Sequence, residues 1–251
     1  MARLPTKQQV TGTLLDAFFP PRCGGCRRFS KAIFCEDCRP KLRRLGYPRC
    51  RICGMAFGPN TLPAPECADC RANRYHAAPA FTAARSLYFF EGPLREAIHR
   101  FKYGQCTSLA AGLGEELAGL ARTDFAFAEI DFAAVVPVPL HRIRRWRRGF
   151  NQSELLAQAF GRHAGVPVVP LLRRPRLTPT QVGLSKAERA ANVRGIFQAD
   201  TGQLERSGAR GRPVLVIDDV FTTGATLAEC ARTLRKAGTG PVYALTVARE
   251  E

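Results

Sequence analysis

The sequence predicts an α/β protein in two parts: a small cysteine-rich module, then a doubly wound, mainly parallel open sheet. Three observations carry this expectation. Eight of the ten cysteines fall within residues 23–70, all in C-x-x-C pairs. From about residue 80, apolar strand-like runs alternate with helix-like stretches, the pattern of a parallel sheet with crossover helices. One such run, "VLVIDDVFTTGATL" at 214–227, passes through two adjacent acids into a turn of threonines around a glycine.

A length of 251 residues accommodates one domain and an accessory module. The charge is unusual: 38 Lys and Arg against 21 Asp and Glu, or +17. Such a field favours nucleic acid, phosphorylated metabolites, or a peripheral contact with an acidic membrane surface. Only six of the basic residues are lysines. Arginine's fork suits phosphate, and a GC-rich genome produces the same bias.

Residues 1–22 read as an N-terminal helix or leader. The apolar patch "TGTLLDAFFPP" is interrupted by Asp16 and no small-residue cleavage site follows, so no secretory signal is predicted. No transmembrane segment is predicted either, since no run nears the ~18 apolar residues one needs. The expected compartment is the cytoplasm, where thiols stay reduced and paired cysteines mean metal.

Residues 23–75 form the metal module, with knuckles Cys23/Cys26, Cys35/Cys38, Cys50/Cys53 and Cys67/Cys70. Each knuckle presents two thiolates to one tetrahedral ion, so four knuckles make two four-thiolate zinc sites. A redox motif would need one pair beside a βαβ unit. Sequential and interleaved pairings both fit the spacing. With every ligand a cysteine there is no open position for substrate, and both zinc ions are structural. So short and polar a segment needs their folding energy, on the order of 10 kcal/mol per site. Cys106 and Cys230 stand alone and read as buried small hydrophobes.

Residues 78–251 hold the sheet. "FTAARSLYFF" is a strand and "EGP" a turn, with Pro93 starting the helix "PLREAIHRFKY". "TSLAAGLGEELAGLAR" is a weakly amphipathic helix with internal glycines, and "DFAAVVPV" a strand buried on both faces. "NQSELLAQAFGRHAG" is a helix with Asn151 as N-cap, Glu154 three residues on and Gly165 at its end. "PVLVID" and "PVYALTVA" are strands flanking the helix "ATLAECARTLRKAG"; residues 199–212 read as a variable loop.

In such a sheet ligands sit beyond the carboxyl ends of strands. Backbone amides from Thr222 to Thr226, with the start of the next helix, form an anion cup. Asp218 and Asp219 cannot bind that anion. They suit a neighbouring diol, directly or through magnesium. Diol plus monophosphate is ribose 5-phosphate. The lysine of a P-loop is absent.

"VLVIDDVFTTGATL" resembles the phosphoribosyl-pyrophosphate (PRPP) motif of type I phosphoribosyltransferases. With the four knuckles, and with "PLREAIHRFKYG", "PVPLHRIRRWRRGFNQSELLA" and "RLTPTQVGLSKAERAANVRGIF", nearly the whole chain resembles the ComF family. That family joins a double zinc ribbon to a phosphoribosyltransferase-type domain. The resemblance implies that Asp218 and Asp219 hold the ribose hydroxyls, and Phe221, Thr222, Thr223, Gly224, Ala225 and Thr226 the 5-phosphate. It also implies PRPP with magnesium as ligand, and a part in DNA uptake (competence) or nucleotide metabolism.

PRPP carries pyrophosphate at C1 as its leaving group, whose charge must be neutralised as the bond breaks. "HRIRRWRRGFNQ" lies where a pyrophosphate loop belongs, and Lys102, Arg145, Arg147, Arg148, Asn151 and Gln152 are the candidate contacts. The alternatives are a solvated loop with Trp146 in the core, or a single-stranded DNA patch with Trp146 stacked on a base. The long polar stretch from 176, with Ser185 and Glu188 capping a helix, reads as a lid. Arg176, Thr178 and Gln181 would reach over the site, and Arg189 and Asn192 would anchor it. No nucleophile, general base or acceptor pocket is legible. A catalytically silent phosphate or nucleotide scaffold handling single-stranded DNA is the alternative to a transferase.

Overall fold

The computed structural model describes residues 21–58, 64–72, 80–104, 106–176 and 193–251. Four strands form the main sheet: β1 (Ala83–Phe89), β2 (Ala134–Pro137), β5 (Val214–Phe221) and β6 (Val242–Arg249). Their order is β1-β6-β5-β2 and every pairing is parallel. Val168 adds a parallel bridge outside β2. A separate antiparallel pair joins β3 (Leu172–Arg173) to β4 (Gln198–Ala199).

Strands with apolar side chains on both faces need cover on both. Helices α1 (Gly92–Tyr103), α2 (Leu109–Thr123) and α4 (Gln152–Ala164) pack on one face. Helix α6 (Ala225–Ala237) packs on the other. Among the described residues of the domain there are also two short helices, α3 (Arg142–Arg148) and α5 (Thr201–Arg206). The sheet is therefore doubly wound, as the alternation predicts.

The cysteine module does not hang beside this domain. Cys23, Phe34 and Cys38 join the core on the α1/α2/α4 face, while Cys50, Ile52, Cys53 and Cys70 join the α6 face. The segment between the two halves lies along β1: Phe89 N donates to Arg43 O at 2.9 Å and Leu45 N to Leu87 O at 3.1 Å. A bare edge strand would template pairing with another chain, and here the module covers it. Gly112 and Gly114 explain the glycine-rich α2, since a Cβ on them would collide with Ile33 of the module and Ala159 of α4.

A buried ion cluster fastens the docking. Asp124 accepts from Arg85 Nε at 2.9 Å and from Arg49, and Arg85 Nη1 reaches Arg51 O at 3.1 Å. The module builds little core of its own; its buried cysteines, Phe34 and Ile52 join the core of the sheet domain. The boundaries at 75 and 78 lie outside the described residues, as does most of the 1–22 leader.

Three further expectations change. β5 does not stop at Asp218-Asp219 but runs to Phe221, because β6 keeps pairing through Val220↔Ala248 and Phe221↔Arg249. The basic segment is helix α3 rather than a loop, with His141 Nδ1 accepting from Ile143 N at 3.2 Å and Gly149 closing it. Residues 199–212 contain α5, capped by Asp200, whose Oδ1 accepts from Gln203 N at 3.0 Å.

Candidate functional site

The thiolate centres pair sequentially. Sγ atoms of Cys23, Cys26, Cys35 and Cys38 lie within 4.8 Å of one another, as do those of Cys50, Cys53, Cys67 and Cys70. Tetrahedral zinc with Zn–S near 2.3 Å puts sulfurs roughly 3.8 Å apart. Cys26–Cys35 at 3.6 Å and Cys53–Cys67 at 3.7 Å match that edge. The donor sets fit structural zinc. Burial raises the Cys23 thiol, but amides of Cys35, Cys26 and Gly25 outweigh it and bring it down to about 6. Cys38, buried and facing the neighbouring thiols, is pushed up to about 12. Two centres this close-packed call for cations.

A second feature opens at the carboxyl ends of β2 and β5. It is a cleft of about 200 Å³ whose walls include Lys102, Tyr103, Arg144, Arg148, Gln152, Ser153, Arg174, Asp218, Asp219, Thr222 and Thr226. The acids form its floor. Asp218 Oδ1 accepts from Ser153 Oγ at 2.8 Å and from Asp219 N at 2.9 Å. Lys102 Nζ stands 3.1 Å from Asp219 Oδ2. Burial first, then the Asp219 charge, pushes Asp218 up to about 7.

The turn after β5 is built as an N-terminal cup. Gly224 has φ +76°, the left-handed conformation glycine takes without penalty, and it caps α6. Thr223 Oγ1 accepts from Ala225 N at 3.4 Å. Thr222 and Thr226 line the cleft, whereas Phe221 turns into the core against Phe81 and Arg249.

The basic wall is more selective than the sequence suggested. Arg144 and Arg148, four residues apart on α3, share the face toward the cleft. Arg148 Nη1 donates to Gln152 Oε1 at 2.9 Å, and its plane lies 5.0 Å from the Tyr103 ring. Arg145 and Arg147 do not line the cleft; Arg145 pairs with Glu154 at 3.2 Å. Asn151 is also turned away, because its amide is spent on the fold: Nδ2 donates to Val138 O at 3.0 Å and Oδ1 caps Ser153 N. Gln152 orients Arg148 and reaches the α1 terminus at Phe101 O, 3.4 Å away.

Sequence reading missed Arg174 and Ser153, and counted Arg144 among the arginines of the basic stretch without choosing it as a contact. Arg174 follows β3, is 8% exposed, and has its pKa lowered by burial first and then by Arg144. Arg144 is lowered by burial and then by Arg148. Crowded cations of this kind favour an anion among them. Arg176 belongs to the same segment; Thr178, Gln181, Ser185, Glu188, Arg189 and Asn192 lie outside the described residues. Trp146 is 83% exposed, so it does not pack into the core.

Together these features define two four-cysteine centres of double zinc ribbon type docked on a doubly wound, parallel α/β domain. The family model for a double zinc ribbon domain matches residues 14–73. The chain is 30% identical over 237 residues to Competence protein F of Haemophilus influenzae, covering 92% of this chain and 98% of that one. It therefore belongs to the ComF family. It is also 28% identical to Competence protein ComFC of Bacillus subtilis, over 81% of this chain and 78% of the relative. DNA utilization protein YhgH of Escherichia coli is 28% identical, over 86% and 89%. Among solved structures, the glutamine PRPP amidotransferase of B. subtilis overlays at TM-score 0.39 and 20% identity, on 59% of this chain and 30% of that one. Adenine phosphoribosyltransferase of Saccharomyces cerevisiae overlays at 0.36 and 17%, on 70% and 83%.

Proposed function

We propose that the cleft binds PRPP, or ribose 5-phosphate, and that the protein serves the handling of incoming DNA, as its relatives' names indicate for them. One observation carries the ligand reading. A single cleft brings two carboxylates together with a helix N-terminal cup and the cations Lys102, Arg144, Arg148 and Arg174. Each part answers one part of the ligand. Thr222–Thr226 would take the 5-phosphate, Asp218 and Asp219 the ribose hydroxyls, and the four cations the pyrophosphate. The same acids would hold a magnesium ion bound to those hydroxyls, and magnesium would supply further neutralisation of the pyrophosphate.

In a transfer reaction the C1–oxygen bond to pyrophosphate breaks and negative charge builds on the leaving oxygen. Arg144, Arg148 and Arg174 are arranged to neutralise it, and Gln152 and Tyr103 hold Arg148 for the purpose. Ser153 keeps Asp218 aimed at the sugar. Calorimetry with PRPP and magnesium, followed by a pyrophosphate-release screen across nucleobases, tests this reading. Absence of binding would refute it, while binding without release would make the protein a PRPP-responsive scaffold.

A second reading concerns single-stranded DNA. Trp146 stands exposed on a seven-residue helix bearing five arginines, a stacking platform beside phosphate-binding groups. Trp146→Ala should weaken DNA binding without touching PRPP affinity. Gln at Arg142, Arg144 and Arg145 should flatten the salt dependence. An unchanged slope would place DNA elsewhere.

A further inference from the structure

Arg249, the last residue of β6, is 2% exposed, yet among the described residues no carboxylate lies within ion-pair distance of it. Glu91 and Glu251, across the adjoining cavity, are both engaged by Arg43. The guanidinium instead faces the second thiolate centre. Its Nη1 donates to Cys53 O at 2.6 Å, and its Nη2 points at Cys53 Sγ at 3.6 Å. Among the described residues its Nε has no acceptor. The same guanidinium lies 4.1 Å over the ring of Phe221.

A guanidinium buried without an anion is strongly disfavoured. Four thiolates around a divalent ion leave two formal negative charges, and this is the anion within reach. The first centre is served differently: Arg100 of α1 donates to the carbonyls of Gly24 and Gly25 and, among the described residues, to no sulfur. We infer that Arg249 is the buried counter-charge of the second zinc centre and, through Phe221, fixes the strand end that leads into residues 222–226. Phe221 is held from two sides, since its ring lies under Arg249 and its carbonyl accepts from Glu250 N at 2.9 Å. A contact made for the metal thus also braces the start of the anion cup.

Outer partners of metal ligands typically change metal affinity about ten- to a hundredfold when removed. The test uses the full zinc-loaded chain and follows zinc release to a chelating dye, with the freed thiols assigned by alkylation and peptide mapping. Arg249→Met should speed release from Cys50, Cys53, Cys67 and Cys70 by about that factor and leave the first centre unchanged. Arg249→Lys keeps the charge but cannot span carbonyl and sulfur together, so its release rate should fall between. In cobalt-loaded protein the thiolate charge-transfer band of one centre should shift in Arg249→Met. Amide exchange at Thr222–Thr226 should quicken. Equal release in all three proteins would overturn the inference, and so would equal acceleration at both centres. Should the Met variant not fold, Arg249→Lys decides: faster release at the second centre alone supports it, and wild-type release refutes it.

Discussion

Lys102 Nζ sits 3.1 Å from Asp219 Oδ2, tying the end of α1 to the acid pair of β5 across the mouth of the cleft. The ammonium is one of the influences that lower Asp218, working against burial and the Asp219 charge. Because Asp218 stands at about 7 when folded, above its ordinary 3.8, its stabilising share is complete below the lower value and is lost as pH rises through the upper. Ligand hydroxyls need the ionised form, so PRPP affinity should run the other way and climb as pH crosses about 7. Lys102→Met should move that midpoint to higher pH and weaken pyrophosphate binding as well. Calorimetric titration over a pH series measures both. A pH-independent affinity would count against Asp218 as the titrating group.

Asn151 makes the opposite prediction. Its side chain joins Val138 O to Ser153 N and is 5% exposed, so Asn151→Ala leaves buried groups unsatisfied. A loss of about 1–3 kcal/mol in unfolding free energy is expected. PRPP affinity, measured where the protein remains folded, should fall only modestly. A stable variant that cannot bind would make Asn151 a ligand contact after all.

The docked ribbon changes what a broken zinc site should do. Cys50 is fully buried and part of the α6-side core. Elemental analysis of the wild type should find two zinc ions per chain, and Cys50→Ser about one. Thermal unfolding of Cys50→Ser should shift the whole transition downward, because Cys53, Ile52 and Arg249 lose their packing with it. An unchanged main transition would mean that the ribbon melts independently.

The four knuckles, the strand–helix alternation and the acid–threonine turn were legible because each is a local pattern. Assembly from distant segments was not. Arg174, Ser153 and Asp218 come from segments well separated in sequence, and no short window contains all three. Helix α3 escaped detection because five arginines in seven residues leave no apolar stripe. Read as a helix, the spacing of Arg144 and Arg148 would have put both on one face. Helix α5 did carry a signal, Asp200 with Gln203 three residues on, which is the capping pattern. The docking of the ribbon was hidden because its buried surface is largely the cysteines themselves.

The most direct measurement of the sugar-binding cleft compares ligands across two variants. Asp→Asn at both Asp218 and Asp219 keeps shape and removes charge. Charge-assisted hydrogen bonds are worth about 1.5–3 kcal/mol each, so PRPP affinity should fall by roughly two to four decades. Free pyrophosphate, which lacks the diol, should bind almost as before. Thr223→Val should weaken PRPP and ribose 5-phosphate alike and spare pyrophosphate. Calorimetry with the three ligands reads all of this at once. Selective loss of the sugar-bearing ligands is the predicted result, and parallel loss of every ligand, pyrophosphate included, would contradict it.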